Sequence, residues 1–303
     1  MTGAARTSSL PLDSAGLLRK LGDAFETLTP EVRRAARWLS DNPTDVALLS
    51  MRQQARNAGV SAPTMVRLAR ALGCDDYASL RRPFQEAIAS GGARFGRRAS
   101  ALQSAPAGAG IGRLARKIGA AQADDLQSVQ ALNAPVQIEA VVKAIAGARR
   151  VGFLGVRSSF SIAYNFHYAY NLIAANGILF DGLGGTLLDQ VEALGAGDAL
   201  VAISQSPYSK PTVLALDAAR RHDVIIVALT DSALSPLTRR ATHTLVFRTE
   251  SMSFLPSMIA PLALVELLLA RLAARGGRKV LRRLADAERR LAASEAYWPD
   301  TVR

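Results

Sequence analysis

Five short apolar runs between residues 150 and 248, RVGFLGV, ILF, ALVAIS, VIIVALT and HTLVFR, alternate with longer segments of helical spacing. A strand that is apolar on both faces must be covered on both faces, and crossover helices provide that cover in a parallel sheet. The runs therefore predict five parallel strands in a doubly wound α/β sheet of flavodoxin-like order. Helices are predicted near 159–175, 186–194 and 210–222, with a short helix from Ser235. Two further helical segments, near 111–131 and 135–147, precede the first strand. The run MIAPLALVELLLA at 258–270 is too short to span a bilayer, contains Pro261 and Glu266, and reads as a buried packing helix. A strongly charged helix near 278–296 ends the pattern, packed on a partner subunit or solvated.

Ligands of such sheets bind beyond the carboxyl ends of the strands, where strand order reverses. Two strand ends here are rich in hydroxyls. The first gives GVRSSFS, with Arg157, Ser158 and Ser159 opening a helix. The third gives SQSPYSKPT, with Ser204, Ser206, Tyr208, Ser209, Lys210 and Thr212 around the next helix start. Hydroxyls, free backbone N–H groups and the positive end of a helix dipole together favour an anion, and Arg157 or Lys210 adds a full charge. The plainer alternative is that these serines cap helices and satisfy turns. Glu250, in TESMSF after the fifth strand, is the most plausible acid near the pocket, with helix capping or a bond to a ligand hydroxyl as equal roles. The loop DGLGGT (181–186) either admits ligand closely or is a turn.

The amino-terminal third has a different pattern, all helical. Leu17, Leu18, Leu21, Phe25 and Leu28 fall at helical spacing, and Thr29, Pro30 and Glu31 start a second helix that Asn42 and Pro43 stop. A short helix from Thr44 leads into MRQQARNAGVSAPTMVRLARALG at 51–73. Ser50 and Gln53 have capping-box spacing, Met51 and Ala55 share a face, and Gly59 can take the left-handed conformation that ends a helix. Ser61 is a preferred N-cap and Pro63 sits harmlessly in the first turn. Met65, Leu68, Ala69 and Leu72 form one apolar stripe, while Pro63, Thr64, Arg67 and Arg70 are expected to face the other way. A helix face of hydroxyl and guanidinium groups suits entry into the major groove of double-stranded DNA, where arginine pairs with guanine edges or phosphates, so Ser61, Pro63, Thr64, Arg67 and Arg70 are the expected DNA-binding residues. An ordinary antiparallel helix pair with a solvated basic face is the alternative. YASLRRPFQEAIAS closes this helical unit.

These elements predict a disordered tail at 1–12, a helix–turn–helix domain at 13–89, a Gly/Ala/Ser linker at 90–110, an α/β domain at 111–276 and a terminal helix at 277–303. The formal net charge is +12 over 303 residues, and residues 1–98 carry 15 Lys or Arg against 9 Asp or Glu. Charge is thus denser in the segment expected to meet a polyanion. The single cysteine, Cys74, excludes an internal disulfide framework and a cysteine-cluster zinc site, and reads as a small buried apolar residue. MTGAARTSSLPLD lacks the apolar core of a signal sequence, so a cytoplasmic protein without membrane contact is expected. The phosphate-binding patterns GxGxxG and GxxxxGK[ST] are absent, as is metal-ligand spacing, so no cofactor or metal is expected.

VSAPTMVRLARALG, followed in order by GVRSSFSIAYNF, ISQSPYSKPTV and ALTDSALSPLTRRATHTLVF, resembles transcriptional regulators of the RpiR/MurR type over about residues 13–275. The resemblance implies an amino-terminal helix–turn–helix domain and a sugar isomerase (SIS) domain. In that family the second domain binds a phosphorylated sugar through serines that match Ser158, Ser159, Ser204, Ser206 and Ser209, and the ligand changes how a dimer holds its operator. Pro207 stands where many SIS domains have glycine, which removes an N–H donor and leaves a sugar acid or another small anion open beside a phosphate. A homodimer or higher homo-oligomer is expected, pairing through helices that include 254–275 and presenting two recognition helices to a near-palindromic operator.

The SIS fold also serves aldose–ketose isomerases, so an enzyme with a helical appendage is the alternative function. That chemistry needs a general base. His167 in FHYAY reads as a core residue, His222 as a helix-end residue beside Asp223, and His243 as the start of a strand. Glu250 is the remaining candidate, and no second carboxylate or histidine pairs with it. Regulation without catalysis is the expected function.

Overall fold

The computed structural model of the chain describes residues 14–89, 94–104 and 110–298. The tail expected at 1–12 and the linker residues 90–93 and 105–109 lie outside them. The chain divides into two compact units: the residues up to Gln103 with Ser232–Leu234, and the remainder.

The first unit is helical: α1 (Ser14–Ala24), α2 (Pro30–Asp41), α3 (Pro43–Leu48), α4 (Met51–Asn57), α5 (Ala62–Ala71), α6 (Tyr77–Ala89) and α7 (Arg94–Gln103). The expected apolar stripe is its core: Met65, Leu68 and Ala69 are fully buried, with Leu21, Leu39 and Leu80 around them. Ala55 is buried and Met51 packs partly against the same cluster. α7 corrects the compositional reading of 90–110 as linker throughout. RFGRRASALQ has one glycine and no proline, so its Ala, Arg, Leu and Gln residues prevail over the Gly/Ser character of its flanks.

The second unit begins with α8 (Ile111–Leu132) and α9 (Pro135–Gly147). Then come β1 (Val151–Gly155), α10 (Phe160–Ile173), β2 (Gly177–Phe180), α11 (Leu187–Glu192), β3 (Ala199–Ser204), α12 (Lys210–Arg221), β4 (Ile225–Thr230) and β5 (His243–Val246). α13 (Ile259–Arg275) and α14 (Gly277–Ala293) complete it. The strands pair in parallel in the order β2-β1-β3-β4-β5, with Ala199 in register with both Val151 and Ile225. Period two decides the layers. Val201 and Ile203 join Phe153, Phe166 and Leu264 on one face, while Leu200 and Ala202 join Leu154, Ala215 and Leu216 on the other. Each buried Leu, Ile or Val contributes roughly 1.5–3 kcal/mol, so both faces must stay apolar.

The helix expected from Ser235 is instead a run of turns, with Thr238 N–H bonded to Ser235 O and Arg240 N–H to Leu237 O. The Ser235 hydroxyl accepts the Leu237 N–H at 3.1 Å, and this local bond competes with a helical one. None of the described helices is long and apolar enough to cross a membrane.

Candidate functional site

The tight turn before α5 follows from its sequence. Ser50 and Gln53 form the expected reciprocal capping box at the start of α4. Gly59 has φ +64°, the Gly59 N–H bonds to Arg56 O, and the Val60 N–H bonds to Ala55 O. Those two bonds are a Schellman motif, which needs a left-handed residue at that point. Buried Gln54 then fixes the turn from below: its Nε2 donates to Val46 O and Leu49 O, and Tyr77 donates its hydroxyl to Gln54 Oε1.

On α5, Ser61, Pro63, Arg67 and Arg70 are exposed, as expected of a reading face. Thr64 is not: it is fully buried, which corrects its placement on that face. Its position toward α2 gives the hydroxyl three partners. Thr64 Oγ1 donates to Glu31 Oε2 at 3.3 Å, lies 2.9 Å from Ser61 Oγ, and accepts from an Arg67 guanidinium N–H at 3.1 Å. Ser61 has N-cap backbone angles, yet its hydroxyl serves Thr64 rather than the helix. Glu31 was not a sequence candidate. It lies 33 residues from Thr64, and helical spacing carries no signal for a partner on another helix.

In the second unit, the loops after β1 and β3 meet where strand order reverses, since β1 lies between β2 and β3. Gly155 permits the close approach of the first loop. A Cβ there would stand 2.4 Å from Ser159 O, so any side chain would force the turn outward. Ser159 is buried and its hydroxyl donates to Gln205 Oε1 at 2.9 Å, while Gln205 Nε2 points to Ser158 Oγ at 3.5 Å. Gln205, which the sequence reading passed over, thus joins the two serine clusters. Arg157 and Ser158 are exposed at the loop surface, Arg157 with φ +56°.

Of the β3 loop, Ser204 is buried at the strand end and Ser206 is half-buried, its N–H donating to Asp231 Oδ2 at 3.0 Å. The Ser206–Pro207 bond is cis. Tyr208 donates its hydroxyl to Asp231 Oδ1 at 2.8 Å. Burial, and then the Asp231 charge, push that phenol well above its ordinary range. Ser209 precedes α12 as N-cap, with its hydroxyl buried and without a hydrogen-bond partner among the described residues. Lys210 is exposed at the first position of α12.

Glu250 lies on the segment after β5, exposed, with its N–H held by Asp125 Oδ1 of α8. A cleft of about 220 Å³ runs between that segment and α8, lined by Ile118, Gln122, Glu250, Ser251, Ser253 and Ser257 among others. Met258, also on its wall, brings its sulfur within 3.5 Å of Gln205 Nε2, linking this segment to the loops after β1 and β3. The loop 181–186 forms a 3-10 turn with three left-handed glycines, and Asp181 accepts the Leu183 N–H. The histidines lie elsewhere. His167 has its ring against Phe153 and its Nε2 2.7 Å from Asn171 Nδ2, with burial lowering its pKa; His222 caps α12 at its end, and His243 opens β5.

Together a helix–turn–helix unit and a parallel sheet with hydroxyl-bearing switch-point loops define a two-part regulator of helix–turn–helix plus SIS design. The helix–turn–helix model of the rpiR family matches residues 15–91, and the SIS domain model matches 144–271. The chain is 30% identical to the sugar isomerase domain of an RpiR transcription factor from Sphaerobacter thermophilus. That structure superposes with a TM-score of 0.56, covering 58% of this chain and 99% of that one. The chain belongs to the RpiR family of transcriptional regulators.

The Vibrio vulnificus NanR protein complexed with ManNAc-6P shares the fold at 22% identity and a TM-score of 0.56, over 91% of this chain and 98% of that one. An HTH-type transcriptional regulator of Haemophilus influenzae is 27% identical over 77% of this chain and 80% of its own length. The bifunctional protein glk of Burkholderia orbicola is 28% identical over 76% of this chain, which spans about a third (34%) of that protein.

Proposed function

We propose that the protein reads a near-palindromic DNA operator through α5 and that a small anionic sugar derivative, a sugar phosphate or sugar acid, controls that reading from the β1/β3 switch point. The observation that carries the reading is the junction at Gln205, which brings Ser158 and Ser159 to the loop that bears Ser206, Ser209 and Lys210. Exposed Arg157, Ser158 and Lys210 offer their side chains to an anion there, with half-buried Ser206 and Ser209 behind them. Ser159, Ser204 and Tyr208 shape the pocket from beneath, and Glu250 takes ligand hydroxyls at its rim. The phosphosugar bound by the structurally similar NanR protein supports this ligand class.

Two copies pair so that their recognition helices meet successive major grooves. Ligand leverage on DNA equals its differential affinity for the two states of that dimer. Catalysis is not part of the proposal: His167 has its ring against Phe153 and its Nε2 beside Asn171, where it serves packing.

Gel-shift titration of Arg67→Ala tests the DNA half, with an expected loss on the order of 1–3 kcal/mol for one bidentate contact. Calorimetry of Ser158→Ala/Lys210→Ala with sugar phosphates and sugar acids tests the ligand half. Full retained affinity in that variant would remove the pocket assignment. Turnover of phosphorylated aldoses that is lost in Glu250→Gln would favour the isomerase instead.

A further inference from the structure

We propose that Glu31, at the start of α2, is a positioning residue that sets DNA sequence specificity by holding Arg67 through Thr64. This inference rests on the DNA-reading role of α5 proposed above. The chain of contacts is Arg67 N–H to Thr64 Oγ1 at 3.1 Å, Thr64 O–H to Glu31 Oε2 at 3.3 Å, and Arg67 to Glu31 at 3.7 Å. Thr64 is fully buried, so the hydroxyl at the centre of the relay is fixed. The two charged ends are half in water, with side-chain exposures of 58% for Arg67 and 55% for Glu31.

Such a pair adds little to fold stability, since water screens an exposed ion pair and ordering two long side chains offsets the rest. Its effect falls on the guanidinium. A free arginine samples many rotamers and settles on any nearby phosphate. An arginine tethered at one edge keeps its remaining N–H groups aimed along one direction, and bidentate pairing with a guanine edge requires that. The Glu31 charge also opposes phosphate at the same place. Glu31 thereby weakens sequence-blind binding while it favours one base at one position.

The test uses the full chain, a pool of random duplexes about 30 base pairs long, which spans two half-sites, and the sequence that the wild type enriches from that pool. Glu31→Ala is expected to bind the random pool about two- to fivefold more tightly at low salt, since one repelled phosphate is relieved. The ratio of enriched to random affinity is expected to fall about tenfold, the equivalent of one lost base preference. In an Arg67→Ala background the same Glu31→Ala change is expected to leave that ratio unaltered, because the two residues act as one unit. A wild type that enriches a sequence, with Glu31→Ala keeping the ratio within about twofold, overturns the positioning role alone. So does a Glu31→Ala loss of selectivity that is undiminished without Arg67. A wild type that enriches nothing overturns the DNA reading and this inference together.

Discussion

Asp125 of α8 accepts the backbone N–H of Glu250 at 3.1 Å, beyond the last residue of the edge strand β5. It is one rung of three. Ser128 Oγ accepts the Arg248 N–H at 3.4 Å, and Asn133 donates to Val246 O and accepts the Val246 N–H, both at 2.7 Å. Residues 246, 248 and 250 present their N–H groups to one side at period two, and one polar side of α8 together with its C-cap Asn133 reaches all three. A helix rises about 1.5 Å per residue and a strand about 3.3 Å. The eight residue steps from Asn133 back to Asp125 therefore span nearly the same length as the four steps from Val246 to Glu250. Helix side chains take the place of a sixth strand, and they cover the sheet edge beside the proposed pocket.

Asn133→Ala removes the amide that pairs with both main-chain groups of Val246. Leaving two shielded backbone groups unpaired costs about 1–3 kcal/mol each before relaxation, so a loss of roughly 2–4 kcal/mol is expected. Urea denaturation with an unchanged midpoint would show that water replaces the pair at no cost.

Burial raises the pKa of Asp125 above 3.8, with the Ser257 hydroxyl and the Glu250 N–H opposing that rise and the Glu250 charge adding to it. Arg248 is the nearby cation and lowers it. A raised carboxyl pKa means the folded chain binds more protons than the unfolded one, so this group's contribution falls as pH climbs from about 3.8 through the raised value. Asp125→Asn keeps an oxygen for the Glu250 N–H and removes the titration. Its stability is expected to decline less than the wild type's over that interval, and parallel pH profiles from urea melts would contradict the assignment.

Asp198 behaves in the opposite sense. Burial alone would raise its pKa, but Arg150, Arg149 and the Gly195 N–H hold the carboxyl well below its ordinary range. Its stabilisation is present above the unfolded value of about 3.8 and is lost as pH falls through the depressed one. Asp198→Asn is expected to lose roughly 2–3 kcal/mol at neutral pH, below the figure for a fully enclosed pair because the arginines reach solvent. Thermal unfolding that matches the wild type at neutral pH would contradict this.

Gly155→Ala puts a methyl group against the Ser159 carbonyl, where only 2.4 Å is open. A destabilisation of about 1–3 kcal/mol is expected, together with displacement of Ser158. The variant should lose its thermal shift with sugar phosphates while it keeps duplex binding. A retained shift would show that the β1 loop does not touch the ligand.

The layered sheet was legible because five short, mostly apolar runs alternating with helical segments leave a chain few other arrangements. The turn at Gly59 was legible because capping chemistry is local. Thr64 was misplaced because one turn of a helix offers two neighbouring faces, and only the docking of α2 decides which one is covered. Gln205 and the pairing of Glu31 gave no sequence signal: their partners lie 46 and 33 residues away, and only the fold buries the one and brings α5 beside the other. α7 was hidden by its glycine-rich flanks.

The most direct measurement is fluorescence anisotropy of the enriched duplex, titrated with the full chain in the presence and absence of a panel of sugar phosphates and sugar acids. The account predicts binding that weakens steeply with salt, and at least one compound that shifts Kd by about fivefold or more in the wild type. The same compound should leave Ser158→Ala/Lys210→Ala unmoved. Duplex binding that no member of the panel shifts, or that shifts equally in that variant, would contradict the coupling of the serine-lined loops to the DNA-reading helix.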